Sequence, residues 1–124
     1  MRQTLGKQER LKSKTVIGKL YKEGKSVKSF PLRMVYIQTE HSSNFPAQVG
    51  VSVPKRNFKK AVARNRIKRL LRETYRKQKH LVYDSIEKPY VFMISYIGKE
   101  ECSYDELEIK MKQLLTTFIE KINQ

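Results

Sequence analysis

Apolar residues along this chain recur with two different periods, and those periods divide it into elements. Over residues 13–23, Val16, Ile17, Leu20 and Tyr21 fall at spacings of one, three and four, the stripe of a short amphipathic helix. Ser13 is suited to cap it, and Gly24 stands where a left-handed residue would end it. Residues 31–39 hold Leu32-Arg33-Met34-Val35-Tyr36-Ile37, a run of β-formers, and residues 40–46 read as a surface loop. Over residues 47–53, Ala47, Val49, Val51 and Val53 alternate with Gln48, Gly50 and Ser52, which predicts a strand with one apolar and one bare face.

Pro54 ends that strand, and a long helix is expected from residue 59 or 60 to residue 77. At about 100° per residue, Ala63, Ile67, Leu70, Leu71, Thr74 and Tyr75 share one band of its surface. Residues 80–88 read as a connection. Residues 90–97 form the most apolar run of the chain, the pattern of a central strand covered on both faces. A capping box, Ser103 with Glu106 three residues later, opens a last helix whose stripe is Tyr104, Leu107, Met111, Leu114, Leu115, Phe118 and Ile122. The predicted architecture is α+β: a two-layer α-β sandwich in the order helix, two or three strands, long helix, strand, helix. It fits one domain over residues 1–124, with its core within about 9–122.

Charge changes the picture on one element. The 124 residues carry 27 Lys and Arg against 12 Asp and Glu, net +15. Twelve of those cations lie between Lys55 and His80, where Glu73 is the single acid. On the long helix Asn65, Lys68, Arg69, Arg72 and Arg76 share a face, with Arg64 at its margin. Like charges at that spacing repel, a cost that a polyanion removes. No run approaches the roughly 18 apolar residues of a membrane helix, there is no Trp to anchor at a lipid surface, and residues 1–7 lack a signal-peptide core. The single Cys102 excludes an intramolecular disulfide and suits a reducing compartment, so a cytoplasmic location is expected.

Nothing in the sequence predicts catalysis by the chain itself. His41, His80 and Cys102 form no nucleophile pattern, no Cys or His cluster suits zinc, and the glycines are scattered. Asp105, Glu106 and Glu108 suit the positive end of the last helix better than a metal. The expected chemistry is therefore binding. Arg clamps phosphate through a planar fork, Lys supplies a mobile charge, and Asn65 among them can donate to and accept from a base edge. Tyr21, Phe30 and Tyr36 lie in or near elements that flank the bare strand face, and single-stranded nucleic acid stacks on such rings. A structural RNA-binding protein, ribosomal or otherwise, and a DNA-reading helix both remain open on these grounds.

The run Ala61-Val62-Ala63-Arg64-Asn65-Arg66-Ile67-Lys68-Arg69-Leu70-Leu71-Arg72-Glu73 closely resembles the signature of the bacterial ribonuclease P protein component. Val49-Gly50-Val51-Ser52-Val53 with Lys55-Arg56 matches the strand and basic pair before the signature, and Arg10-Leu11 through Tyr21-Lys22-Glu23-Gly24-Lys25 matches the first helix. The likeness covers roughly residues 9–118. It implies a left-handed βαβ crossover, against the usual handedness, and a protein subunit of ribonuclease P, the endoribonuclease that removes the 5′ leader of precursor tRNA. The catalytic groups and the Mg²⁺ belong chiefly to the RNA and substrate. The implied partners are the catalytic RNA and precursor tRNA, with no obligate protein partner and no membrane. The implied RNA contacts are Arg64, Asn65, Arg66, Lys68, Arg69 and Arg72, flanked by Lys55 and Arg56. Tyr21, Tyr36, Ile17, Gly50 and Ser52 would line a leader cleft between the sheet face and the long helix. Ile17 stands where the family usually has phenylalanine, and residues 56–60 are one longer than the common form and lack its glycine.

Overall fold

The computed structural model describes residues 9–40 and 46–123, so most of the predicted loop, including His41, and residues 1–7 lie outside them. The elements run α1 (Lys14–Glu23), β1 (Lys25–Ser29), β2 (Leu32–Gln38), β3 (Ala47–Ser52), α2 (Ala61–Tyr83), β4 (Tyr90–Tyr96) and α3 (Tyr104–Ile122). The strands form one sheet in the order β1-β2-β4-β3. β1, β2 and β4 pair antiparallel, whereas β3 lies parallel to β4, joined to it through α2. The α+β expectation holds, and the optional third early strand is β1, a hairpin partner of β2.

Strand alternation sends side chains to two unlike faces. On one face Val27, Leu32, Met34, Tyr36, Ala47, Val49, Phe92, Ile94 and Tyr96 meet Ile67, Leu71, Tyr75 and Val82 of α2 and Leu107, Met111, Leu114, Leu115 and Phe118 of α3. On the other, Val35, Val91 and Met93 meet Leu11 and Leu20, with Val16, Ile17 and Ile37 packed around them. Thus β4, central and apolar throughout, is covered on both faces as its sequence predicts.

Three local expectations need correction. The first concerns Gly24, which ends α1 in an extended conformation, φ −72° and ψ 158°, not a left-handed one. Its need for glycine is steric, because a Cβ there would lie 2.3 Å from the Leu20 carbonyl oxygen and 2.8 Å from Val35 Cγ1. The second is the length of α2, which runs on to Tyr83 through the stretch expected to be a connection. Val82 is fully buried in the core, and the Gln78 amide donates to the Glu108 carbonyl of α3 at 3.0 Å. With no proline between Pro54 and Pro89, tertiary packing carries the helix on. The third is the bare face of β3. Gly50 is not open there, since Met93 and Leu11 fill the space above it, with Met93 Cε only 2.8 Å from where a Cβ would sit.

The capping expectations hold. Ser13 Oγ accepts from the Val16 amide at 3.3 Å, and Ser103 Oγ accepts from the Glu106 amide at 3.2 Å.

Candidate nucleic-acid interface

The apolar stripe of α2 turns its opposite side away from the sheet, and the basic residues of the stripe's complement gather there. Asn65, Lys68, Arg69, Arg72, Glu73 and Arg76 line a groove of about 590 Å³, closed on its other side by Arg10. Arg10 comes from the segment before α1, where it forms a parallel bridge to Val49 at the outer edge of β3. Burial, and then the nearby Arg10 charge, push the Arg72 guanidinium below its ordinary pKa. Arg76 forms an ion pair with Glu73. Arg10, Lys68, Arg69 and Arg72 have no acidic partner among the described residues. Four unpaired cations around one amide make a receptor for a phosphate chain.

Other members of the predicted set are placed differently. Arg64 donates to the Phe58 and Lys59 carbonyls at 2.7 and 2.8 Å. It thereby braces the turn into α2, whose N-cap, Lys60, makes no side-chain capping bond. Arg66 points to the far side of the helix, where its fork meets Glu101 at 2.7 and 2.6 Å. That contact raises the Arg66 pKa and lowers the Glu101 pKa. The charge count of the run also included Lys79, which is only 2% exposed and pairs with Glu9. Lys55 and Arg56 are exposed in the turn between β3 and α2 and do not line the groove.

The leader-cleft residues divide between the two faces. Gly50, Ser52 and Ile17 belong to the face that α1 covers, not to the one that packs on α2. Tyr36 is 5% exposed and contributes to the α3 core, with its ring 4.9 Å from that of Phe118 in an edge-on contact, so it does not line the same surface. Strand parity is the reason: Val35 and Ile37 face α1, so Tyr36 between them must face α3. Tyr21, at 53% exposure, stands free on α1.

What the sequence reading missed is a polar row on the α1 face. The register aligns Lys28 with Arg33, Arg33 with Ser95, and Ser95 with Ser52, one residue from each strand. Lys28 and Arg33 are exposed, and the Ser52 and Ser95 hydroxyls share a hydrogen bond of 2.7 Å. This row lies beside the patch that α1 and Leu11 cover, so two cations and two hydroxyls remain as an open strip. The strand alternation of β2 and β4 carried that signal, but only the register joins it across the sheet.

Among the described residues no cluster of three or more His, Cys, Asp or Glu could hold a metal, and no helix is long and apolar enough to cross a membrane. The ribonuclease P family model matches residues 5–119. The ribonuclease P protein component of Porphyromonas gingivalis is 42% identical over 89 residues, covering 71% of this chain and 64% of that protein. That of Borreliella burgdorferi is 36% identical over 107 residues, 85% of each. The chain thus aligns with under two thirds of the Porphyromonas relative's length. Among solved structures, the Staphylococcus aureus ribonuclease P protein superposes with a TM-score of 0.70 at 21% identity, covering 88% of this chain and 94% of its own. The Thermotoga maritima protein gives 0.70 at 24%, covering 86% and 94%. A match over nearly the whole sequence, on a fold these structures share, establishes that the chain belongs to the ribonuclease P protein component family.

Proposed function

We propose that this chain is the protein subunit of ribonuclease P, which binds the catalytic RNA and the 5′ leader of precursor tRNA and assists removal of that leader. The observation that carries the proposal is the groove of Arg10, Asn65, Lys68, Arg69 and Arg72, with four cations unpaired among the described residues. Phosphates entering it relieve the repulsion between Arg10 and Arg72 and release condensed counterions. The strip of Lys28, Arg33, Ser95 and Ser52 offers an extended single strand two charges and two hydroxyls, with Ile17 and Tyr21 on the adjoining helix.

Mg²⁺ belongs with the RNA in this reading. Five of the groove's side chains are cationic and its one carboxylate, Glu73, is paired with Arg76, which suits phosphate and does not suit a divalent metal, so no step is assigned to an ion on the protein. By neutralising phosphates, the protein lowers the Mg²⁺ that the RNA needs to fold and react.

The test is precursor-tRNA cleavage at low Mg²⁺ by the cognate catalytic RNA, with and without the protein. A protein-dependent gain that disappears when the leader is cut to one nucleotide supports both surfaces. No gain, with tight binding to unrelated structured RNA, would leave a general RNA-binding protein instead.

A further inference from the structure

Residues 9–11, just ahead of α1, are held by contacts to two different elements. The Glu9 carboxylate lies 2% exposed against α2, where Lys79 Nζ donates to it at 3.0 and 2.7 Å and the Tyr83 hydroxyl donates as well. Two residues on, the Leu11 amide donates to the Val49 carbonyl at 2.8 Å, and the Leu11 side chain enters the apolar cluster under α1 beside Gly50. Between these anchors, Arg10 is exposed and faces Arg72 across the groove. One anchor is on the carboxyl half of the long helix and the other on the edge strand, so the backbone of Arg10 spans the two layers.

Burying an ion pair is a costly way to tie down a segment, because both charges lose their water. An apolar residue at position 9 would hold the segment by packing alone. A carboxylate that takes two donors from Lys79 and one from Tyr83 fixes its direction as well, and so fixes where the next side chain emerges.

We infer that residues 9–11 are a clip belonging to the RNA-binding site: Arg10 is a phosphate contact of the groove, and the buried Glu9–Lys79 pair with Tyr83 is its positioning device. The inference rests on the groove being the surface that meets RNA. Glu9 and Lys79 touch no RNA in this arrangement; they act through Arg10.

The experiment measures binding of the intact protein to the cognate catalytic RNA across a salt series. Arg10→Ala should lower the log–log salt slope by about 0.7 to 0.9 and weaken binding roughly four- to sixfold near 0.15 M salt, as loss of one phosphate contact requires. Arg69→Ala, on α2 itself, is the reference and should do the same. The paired change Glu9→Gln with Lys79→Met, which leaves no unpaired buried charge, should cost a similar factor when Arg10 is present and nothing more when Arg10 is already Ala. Circular dichroism checks that the pair variant folds; if it does not, Tyr83→Phe replaces it, with a smaller loss and the same dependence on Arg10. An Arg69→Ala effect without an Arg10→Ala effect overturns the clip and keeps the groove. Equal losses from the pair variant with and without Arg10 reduce the ion pair to general stability and overturn its positioning role. No effect from either arginine overturns the groove and the clip together.

Discussion

The structure separates the cations of the basic run into engaged and unengaged ones, and that division sets the outcome of neutralising them. Arg69 lines the groove without an acidic partner, whereas Arg76, seven residues later on the same helix, is in an ion pair with Glu73. Each phosphate contact made by an unengaged cation contributes about 0.7 to 0.9 to the log–log salt slope of RNA binding. Arg10, Lys68, Arg69 and Arg72, which have no acidic partner among the described residues, should therefore contribute roughly 2.8 to 3.6 of the total slope if each meets a phosphate. The double change Arg69→Ala/Arg72→Ala should lower the slope by about 1.4 to 1.8 and weaken binding roughly 14- to 30-fold at 0.15 M salt. Arg76→Ala should leave the slope within error, because the Glu73 charge it exposes offsets no contact that existed. Both variants replace exposed or half-exposed helix positions with a good helix former, so folding is little affected. The assay is a binding titration against the catalytic RNA at four or more salt concentrations. If Arg76→Ala lowers the slope as much as Arg69→Ala, mean charge density governs binding and the groove geometry is irrelevant.

Other consequences follow from particular contacts. Glu101→Gln frees the Arg66 fork from a solvent-exposed pair, of a kind worth about 0 to 1 kcal/mol, so RNA binding should tighten by at most about fivefold; unchanged or weaker binding would assign Arg66 to bracing the segment before α3. Gly18→Ala meets nothing within 4 Å in an exposed stretch of α1 and should stabilise the protein by about 0.5 to 1 kcal/mol, while Gly24→Ala meets the Leu20 carbonyl and should destabilise it by about 1 to 3 kcal/mol. Chemical denaturation measures both, and equal effects would refute the steric account of Gly24. Burial first raises the pKa values of both Tyr75 and Tyr83 well above the ordinary phenol value near 10; the Glu9 charge adds to the rise at Tyr75 against a lowering hydrogen bond from Tyr83, and Tyr75 and Glu9 add to the rise at Tyr83. Their raised pKa values in the folded state contribute stability that is fully present below about pH 10 and is lost as pH rises beyond it. Phenolate absorbance should therefore show these rings ionising together with unfolding; smooth ionisation of all seven tyrosines in a folded protein would contradict their burial.

Period and parity made most of the fold legible. The stripe of α3, the capping serines and the doubly covered β4 were all readable because each depends on residues close together in sequence. The failures share one cause, which is contact across long sequence distance. Gly24 looks like a helix stop until β2 is laid against it, and the purpose of Gly50 is visible only once Met93, 43 residues away, pairs opposite. The site follows the same rule. A run of twelve cations announces a polyanion, yet their acidic partners include Glu9, 70 residues from Lys79, and Glu101, 35 residues from Arg66.

Those distant acids give the charge its shape. Without them α2 would present cations on nearly every side, and RNA could approach it in many orientations with similar energy. Glu101 occupies Arg66 on one flank and Glu9 takes Lys79 into the core, while Arg64 is spent on the carbonyls of the turn before the helix. Along the groove, Lys68, Arg69 and Arg72 have no acidic partner among the described residues, and Arg10 adds a cation there from a different part of the chain. Affinity for a polyanion follows from how many cations there are, but register on it follows from which ones are left free. In the proposed binding mode the acidic residues orient the protein on RNA, and restoring the neutralised cations one at a time should change orientation before it changes affinity. Tethered hydroxyl-radical cleavage from a fixed position on α3 reads that directly: Glu101→Gln should add new cleavage sites on the RNA, and an unchanged pattern would mean that the groove alone sets the register.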